Sequence, residues 1–293
     1  MGLYVLTSAS GSPGVSTSAA GLAYHWPRPV LLIDADPTGA SALFAGHFQG
    51  ALEPGAGLID LAVAAAEGHL EESFAAAIAK LPDSDVRFLA GIRSHEQAHS
   101  LKSLWPQLLG VLQRWDEAGY DVVVDAGRLG LVGSPSELID RADVVTLVTR
   151  NSLVSLAGAR SWAASLRTRF VEHGGASRLG LMIVEDIPRR VQAYGDGQVA
   201  RALQLPVLAK LPYDKDVAEV YSHGSRPPKN VETSGLVKAY TASAEALRML
   251  HAGNLDELAG RQGTRQDRIV AAARSLATRG GRITNESNGP SDV

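Results

Sequence analysis

A segment rich in glycine and hydroxyl side chains lies near the start of the chain, and its residue types suit phosphate binding. It reads SGSPGVSTS over residues 10–18, here called the glycine-rich segment, and follows an apolar run. A turn between a strand and a helix presents unpaired N–H groups, and the helix dipole favours an anion there. The residues predicted to bind phosphate are Gly11, Ser12, Gly14, Val15, Ser16 and Thr17. Such turns are structural more often than functional, so other residues must support the prediction.

Three aspartates follow later apolar runs. Asp34 and Asp36 lie in PVLLIDADPTGAS (29–41), and Asp125 lies in YDVVVDAGRLG (120–130). Open α/β sheets place ligands at the carboxyl ends of their strands, so we expect these acids to lie beside the glycine-rich segment. Hard cations prefer oxygen ligands. The predicted Mg²⁺ ligands are Ser16, Asp34, Asp36 and Asp125.

Short apolar runs alternate with helical stretches along the chain. The predicted strands are Leu3–Leu6, Val30–Ile33, Val86–Leu89, Val122–Val124, Val144–Val148, Leu179–Val184 and Pro206–Leu208. Adjacent apolar residues are typical of strands buried on both faces. The predicted helices cover 16–24, 101–117, 156–172, 197–203 and 234–251, with two more between 57 and 80. We therefore predict an α/β fold, a doubly wound and mostly parallel sheet with helices on both faces.

Composition limits the classes of function. The chain has 293 residues and no cysteine, which excludes disulfides and thiolate metal sites. Its net charge of −3 gives no overall attraction to nucleic acid. It has no apolar stretch of the ~20 residues that span a bilayer and no basic region before the first strand, so we expect a cytoplasmic protein.

The last part of the chain differs in character. We expect a domain over residues 1–255 and an arginine-rich, largely disordered tail over 256–293. The arginines that could contact DNA are Arg265, Arg268, Arg274, Arg279 and Arg282. The tail lacks large apolar residues, so membrane contact is not expected.

Over roughly residues 1–250, the order of these motifs resembles the ParA/MinD family of P-loop ATPases. VLLIDADPTG resembles the family's second motif, and YDVVVDAG resembles its Walker B strand. VVTLVTRNSLVSLAGAR and LQLPVLAKLPYDKDVAEVYSHGSRP are similar to later family segments. The resemblance implies a P-loop NTPase fold, ATP and Mg²⁺ as cofactors, and Asp36 as the catalytic residue of an active member. It also implies a homodimer that works with a positioning or secretion machine.

The first motif departs from the family's KGGVGKTT. With Gly14 on the last glycine, Ser10 and Val15 replace the two lysines, and Pro13 removes a backbone donor. Glu185 replaces an asparagine that often reads adenine in the family. The cations considered as replacements are Arg128, Arg150, Arg189 and Arg190.

Losing one charge-assisted contact costs about 1.5–3 kcal/mol in binding. Losing a cation that stabilises the transition state costs on the order of 10³ in rate. We therefore expect weak Mg²⁺-dependent nucleotide binding at most, negligible hydrolysis, and no efficient ATPase.

Three functions fit these observations. The first is a degenerate ParA/MinD-like scaffold of a secretion, pilus or partitioning machine, nearest to the TadZ/CpaE group. The second is an active partitioning ATPase with a replacement cation, which would show turnover. The third is an accessory protein that binds DNA through its arginine-rich tail, which would show salt-sensitive binding.

Overall fold

An eight-stranded sheet forms the centre of the fold. The computed structural model describes residues 1–10, 12–39, 42–50, 55–81, 84–115, 119–186 and 193–256. Its strands are β1 (Leu3–Ser8), β2 (Val30–Asp34), β3 (Ile78–Lys80), β4 (Arg87–Leu89), β5 (Asp121–Arg128), β6 (Val144–Arg150), β7 (Leu179–Val184) and β8 (Val207–Leu211). Their order is β3-β4-β2-β5-β1-β6-β7-β8, and only the β3–β4 pair is antiparallel. The predicted doubly wound, mostly parallel sheet is confirmed.

Helices cover both faces of this sheet. They are α1 (Val15–Tyr24), α2 (Leu58–Glu67), α3 (Leu70–Ala77), α4 (Leu104–Arg114), α5 (Ser136–Arg141), α6 (Leu153–Glu172), α7 (Asp196–Leu203), α8 (Lys215–His223) and α9 (235–256). Short 3₁₀ helices cover His95–Ser103, Ala176–Arg178 and Val231–Thr233, and a π-helix covers Ala42–His47. Among the described residues, no helix is both long and apolar enough to cross a membrane.

Two hydrophobic cores lie on opposite faces of the sheet because successive strand side chains point in opposite directions. Leu3 and Val5 of β1 pack with α2 to α7, while Tyr4 and Leu6 pack with α1, α8 and α9. Every residue of β1 is buried. Burial on both faces explains why the strands are apolar at adjacent positions.

The sequence did not indicate several elements. β3 comes directly after α3 in a segment expected to hold only helices, and it pairs with β4 at the sheet edge. Its three residues form a strand because β4 offers an unpaired edge, which local propensity does not reveal. The π-helix, α5 and α8 were also missed.

A buried carboxylate ties the amino edge of the sheet to the last helix. Asp121 is 1% exposed and accepts hydrogen bonds from Gly2 N at 2.9 Å and Trp26 Nε1 at 3.0 Å. The oxygen that accepts from Trp26, Oδ2, also lies 3.3 Å from Nε of Arg248 on α9. This ion pair connects α9 to β5.

The chain divides into two units, Met1–His251 and Ala252–Val293. Only residues 252–256 of the second unit are described, and they are helical. The expected tail at 256–293 and its five candidate DNA-contacting arginines therefore lie, apart from residue 256, outside the described residues. The domain boundary and the DNA contacts stay predictions.

Candidate functional site

The glycine-rich segment connects β1 to α1. Gly14 is the N-cap of α1 and has φ +103°, a left-handed conformation that favours glycine. No side chain caps the helix, and its first internal bond runs from Ser18 N to Gly14 O at 2.9 Å. The first-turn N–H groups of Val15, Ser16 and Thr17 therefore face the segment, where they can bind an anion. Gly11 lies outside the described residues.

The two positions aligned with the family's lysines hold residues without a positive charge, Val15 and Ser10. Val15 is 7% exposed and packs in the core with α8 and α9, so only its backbone can reach a phosphate. Ser10 lies directly against Gly158 of α6, where there is no room for a Cβ. Neither position places a cation beside the segment.

The acids at the end of β2, just after it and within β5 meet at the carboxyl edge of the sheet. Asp34 and Asp125 are register partners on these neighbouring strands and are 2% and 1% exposed. Asp125 accepts hydrogen bonds from the Ser16 hydroxyl and from Gly127 N, the latter at 3.0 Å. Asp36 is half-buried, and its Oδ1 accepts from Thr38 N at 2.9 Å. The structure thus brings Ser16, Asp34 and Asp125 together, with Asp36 at the rim.

Burial and like charge perturb the central acid of this group. Burial, followed by the Asp34 carboxylate, raises the pKa of Asp125 to about 8, and Asp36 adds to the effect. The hydrogen bonds from Ser16 and Gly127 oppose the increase. At neutral pH without a cation, Asp125 therefore keeps its proton, which a bound divalent cation would displace.

The described residues contain no group of three or more acidic, histidine or cysteine side chains that could hold a metal ion. The predicted ligands are therefore not a closed metal cage. This donor set still fits Mg²⁺, which typically takes one or two carboxylates and keeps the remaining positions for water and phosphate. Ser16 and Asp125 would hold it, and the cation would neutralise the acids and the phosphate.

Two cavities flank the glycine-rich segment. The larger, here called the Asp36 cavity, has a volume of about 510 Å³. The other, the Tyr240 cavity, has a volume of about 290 Å³. Ser12, Gly14 and Thr17 line both. The Asp36 cavity is completed by Ser8, Val15, Ser16, Asp36, Thr38, Gly127, Arg128 and Leu131. Because the two cavities meet at the glycine-rich segment, a nucleotide could place its phosphates at the segment and its nucleoside in the Tyr240 cavity.

Three charged residues that line the Tyr240 cavity, Arg150, Glu185 and Lys215, have ion-pair partners. Arg150 lies 3.6 Å from Asp186. Lys210 lies 3.0 Å from Glu185, and this hydrogen bond raises the pKa of the lysine. Glu185, which replaces the family's asparagine, therefore does not present an isolated negative charge to a base. Arg189 and Arg190 lie outside the described residues.

Sequence reasoning missed Gly127 as a site residue. It has φ +58°, and a Cβ there would collide with the Asp36 carboxyl group. Its position two residues after Asp125 was the available signal. Thr38, which fixes Asp36, and Leu131, which lines the cavity, had no comparable signal in the sequence.

A parallel sheet with a glycine-rich turn, an uncapped helix N-terminus and a buried acid bonded to the helix hydroxyl defines the P-loop NTPase architecture. No protein-family model matches the chain, and no curated protein matches its sequence. Solved structures do match.

The cell division ATPase MinD of Pyrococcus furiosus is 22% identical, with a TM-score of 0.65 over 85% of this chain and 100% of that chain. A ParA family ATPase from Chlorobium tepidum is 18% identical, with a TM-score of 0.62 over 82% and 98%. The septum site-determining protein MinD from Pyrococcus horikoshii, complexed with Mg-ADP, is 20% identical, with a TM-score of 0.61 over 89% and 98%. The chain has the fold of the MinD and ParA-family ATPases, as its sequence resemblance predicted.

Proposed function

We propose that this chain is a degenerate ParA/MinD-like protein that binds Mg²⁺-nucleotide weakly, hydrolyses it negligibly, and serves as a scaffold in positioning or assembly machinery. The observation that carries the proposal is the contact between Ser16 and the buried Asp125, beside an uncapped helix N-terminus. The MinD of Pyrococcus horikoshii, which shares this fold, was solved with Mg-ADP.

The weakness of binding follows from the charges around the segment. Val15 and Ser10 bring no positive charge, while Asp34, Asp36 and Asp125 lie close by. A polyphosphate therefore needs Mg²⁺ to offset the carboxylates. Since a lost charge-assisted contact costs roughly ten- to a hundredfold in affinity, we expect dissociation constants of tens to hundreds of micromolar.

A scaffold needs surfaces for a second copy or a partner protein. Val132, Leu153 and Val154 are 60%, 63% and 83% exposed, and they follow the ends of β5 and β6 on either side of β1. Exposed apolar side chains beside the site support a homodimer or a protein partner. Sedimentation without nucleotide tests the dimer, which a monomer at all concentrations would exclude.

Calorimetric titration with ADP and ATP, with and without Mg²⁺, tests nucleotide binding. We expect binding with dissociation constants of roughly tens to hundreds of micromolar that needs Mg²⁺ and weakens at least tenfold in Ser16→Ala, which loses the hydroxyl that would contact the metal. Ser100→Ala, an exposed serine outside the site, is the matched control and should bind as the wild type does. No heat from either nucleotide at millimolar concentration would contradict the proposal.

An active ATPase is the second candidate, and one observation favours it. Arg128 lines the Asp36 cavity and could supply charge that the lysines supply in the family. A steady-state assay of phosphate release separates the two functions. Turnover that Asp36→Ala abolishes would favour the ATPase, and absence of turnover in a protein that binds ATP would favour the scaffold.

A further inference from the structure

The backbone of Arg128 is fixed beside the start of the glycine-rich segment. Arg128 is the last residue of β5, and a register irregularity between β1 and β5 pairs it with Ser8. Leu129 N donates to Ser8 O at 2.8 Å, and the Thr7 hydroxyl donates to Gly127 O at 3.1 Å. These bonds hold Arg128 at the point where β1 enters the segment.

The side chain of Arg128 has no competing ion pair within the described part of the chain. It is exposed, and no described carboxylate lies within 4.0 Å of its guanidinium. Arg150 is paired with Asp186, and Lys215 lies 3.4 Å from Glu219. Arg128 is thus the cation among these three that can bind an anion without losing a partner.

The glycine before Arg128 has no side chain, so the Asp36 carboxyl group can lie close to the end of β5 and to Arg128. Gly127 lies against the Asp36 carboxyl group with a left-handed φ of +58°. Both Asp36 and Arg128 line the cavity with Gly14, Ser16 and Thr17. The guanidinium of Arg128 in this cavity faces the same space as the N–H groups at the start of α1. Its planar set of N–H donors suits two phosphate oxygens.

We propose that Arg128 is a phosphate-binding residue that supplies one cationic contact, where the family has two lysines, to the di- or triphosphate of a weakly bound nucleotide. This inference rests on the proposed function, because it assumes that the glycine-rich segment binds nucleotide. It adds a cationic contact from the end of β5 to a segment that has none of its own.

The test is calorimetric titration of Mg-ADP into the wild type, Arg128→Gln and Arg128→Lys. Arg128→Gln should weaken Mg-ADP binding roughly ten- to a hundredfold, because it removes a charge-assisted contact. Arg128→Lys keeps the charge and should stay within about tenfold of the wild type. Arg141→Gln is the matched control, since Arg141 is also exposed and ends α5 at the opposite, amino edge of the sheet. Thermal melting should show equal stability for all four proteins.

Two failures can be told apart. A wild type that binds no Mg-ADP at millimolar concentration contradicts the proposed function itself. A wild type that binds, with Arg128→Gln binding equally well, overturns the assignment of Arg128 and leaves the proposed function intact. Equal weakening by Arg141→Gln would also overturn the assignment, because it would reflect the overall charge of the protein.

Discussion

Asp125→Asn should stabilise the metal-free protein at alkaline pH, although it alters a residue at the centre of the site. The pKa of Asp125 is raised from 3.8 to about 8, first by burial and then by the Asp34 carboxylate. Because the folded pKa exceeds the unfolded value, the native state holds an extra proton between these limits. The contribution of this proton to the free energy of unfolding is complete below pH 4 and is lost as the pH rises through 8.

The magnitude follows from the difference of about four pKa units. Each unit corresponds to about 1.4 kcal/mol, so full ionisation of Asp125 costs the native state about 6 kcal/mol. Asparagine does not titrate and can still accept the bond from Gly127 N. The free energy of unfolding of the variant should therefore equal that of the wild type near pH 4. Above pH 4 it should exceed the wild-type value by about a further 1.4 kcal/mol for each pH unit up to pH 8.

Urea unfolding of both proteins between pH 4.5 and 8.5, in the presence of a chelator, measures this difference. Parallel stability curves across the whole range would refute the reasoning, since they would mean that Asp125 ionises as freely in the native state as in the unfolded chain. Mg²⁺ with ADP should then stabilise the wild type at pH 8 more than the variant, because the cation replaces the proton.

Three further changes give separate tests. Val15→Lys restores a lysine at the start of α1 and should tighten Mg-ADP binding at least about tenfold by calorimetry; unchanged affinity would mean that the missing lysine does not limit binding. Gly127→Ala forces a Cβ against Asp36 and should weaken Mg-ADP binding while leaving the fold intact by circular dichroism; wild-type affinity would show that this close approach is dispensable. Asp121→Ala leaves Trp26 Nε1 and Gly2 N without their acceptor and should lower the free energy of unfolding by about 3 kcal/mol; a loss below about 1 kcal/mol would show that water replaces the carboxylate.

The fold was predictable because burial on both faces makes a parallel strand apolar at adjacent positions. That signal was strong for β1, β2 and β5, whose ends carry the site. It was absent for β3, which has three residues and depends on pairing with β4. Tertiary pairing decides such edge strands, and a single sequence does not record it.

The proximity of site residues was predictable where the parallel arrangement of the strands alone determines which residues lie side by side. Asp34 and Asp125 each lie at the carboxyl end of the sheet, so their proximity followed from a parallel arrangement. The ion pair between Glu185 and Lys210 was not predictable, because it depends on the register of β7 with β8. The contact of Ser10 with Gly158 depends on how α6 packs, which motifs do not specify.

The most direct test of nucleotide binding at the glycine-rich segment is a crystal structure of the protein grown with millimolar Mg-ADP. We expect the β-phosphate on the N–H groups of Val15, Ser16 and Thr17, with the metal ion on the Ser16 hydroxyl and the guanidinium of Arg128 on the phosphates. Nucleotide bound away from the glycine-rich segment, or an empty segment at that concentration, would contradict this expectation.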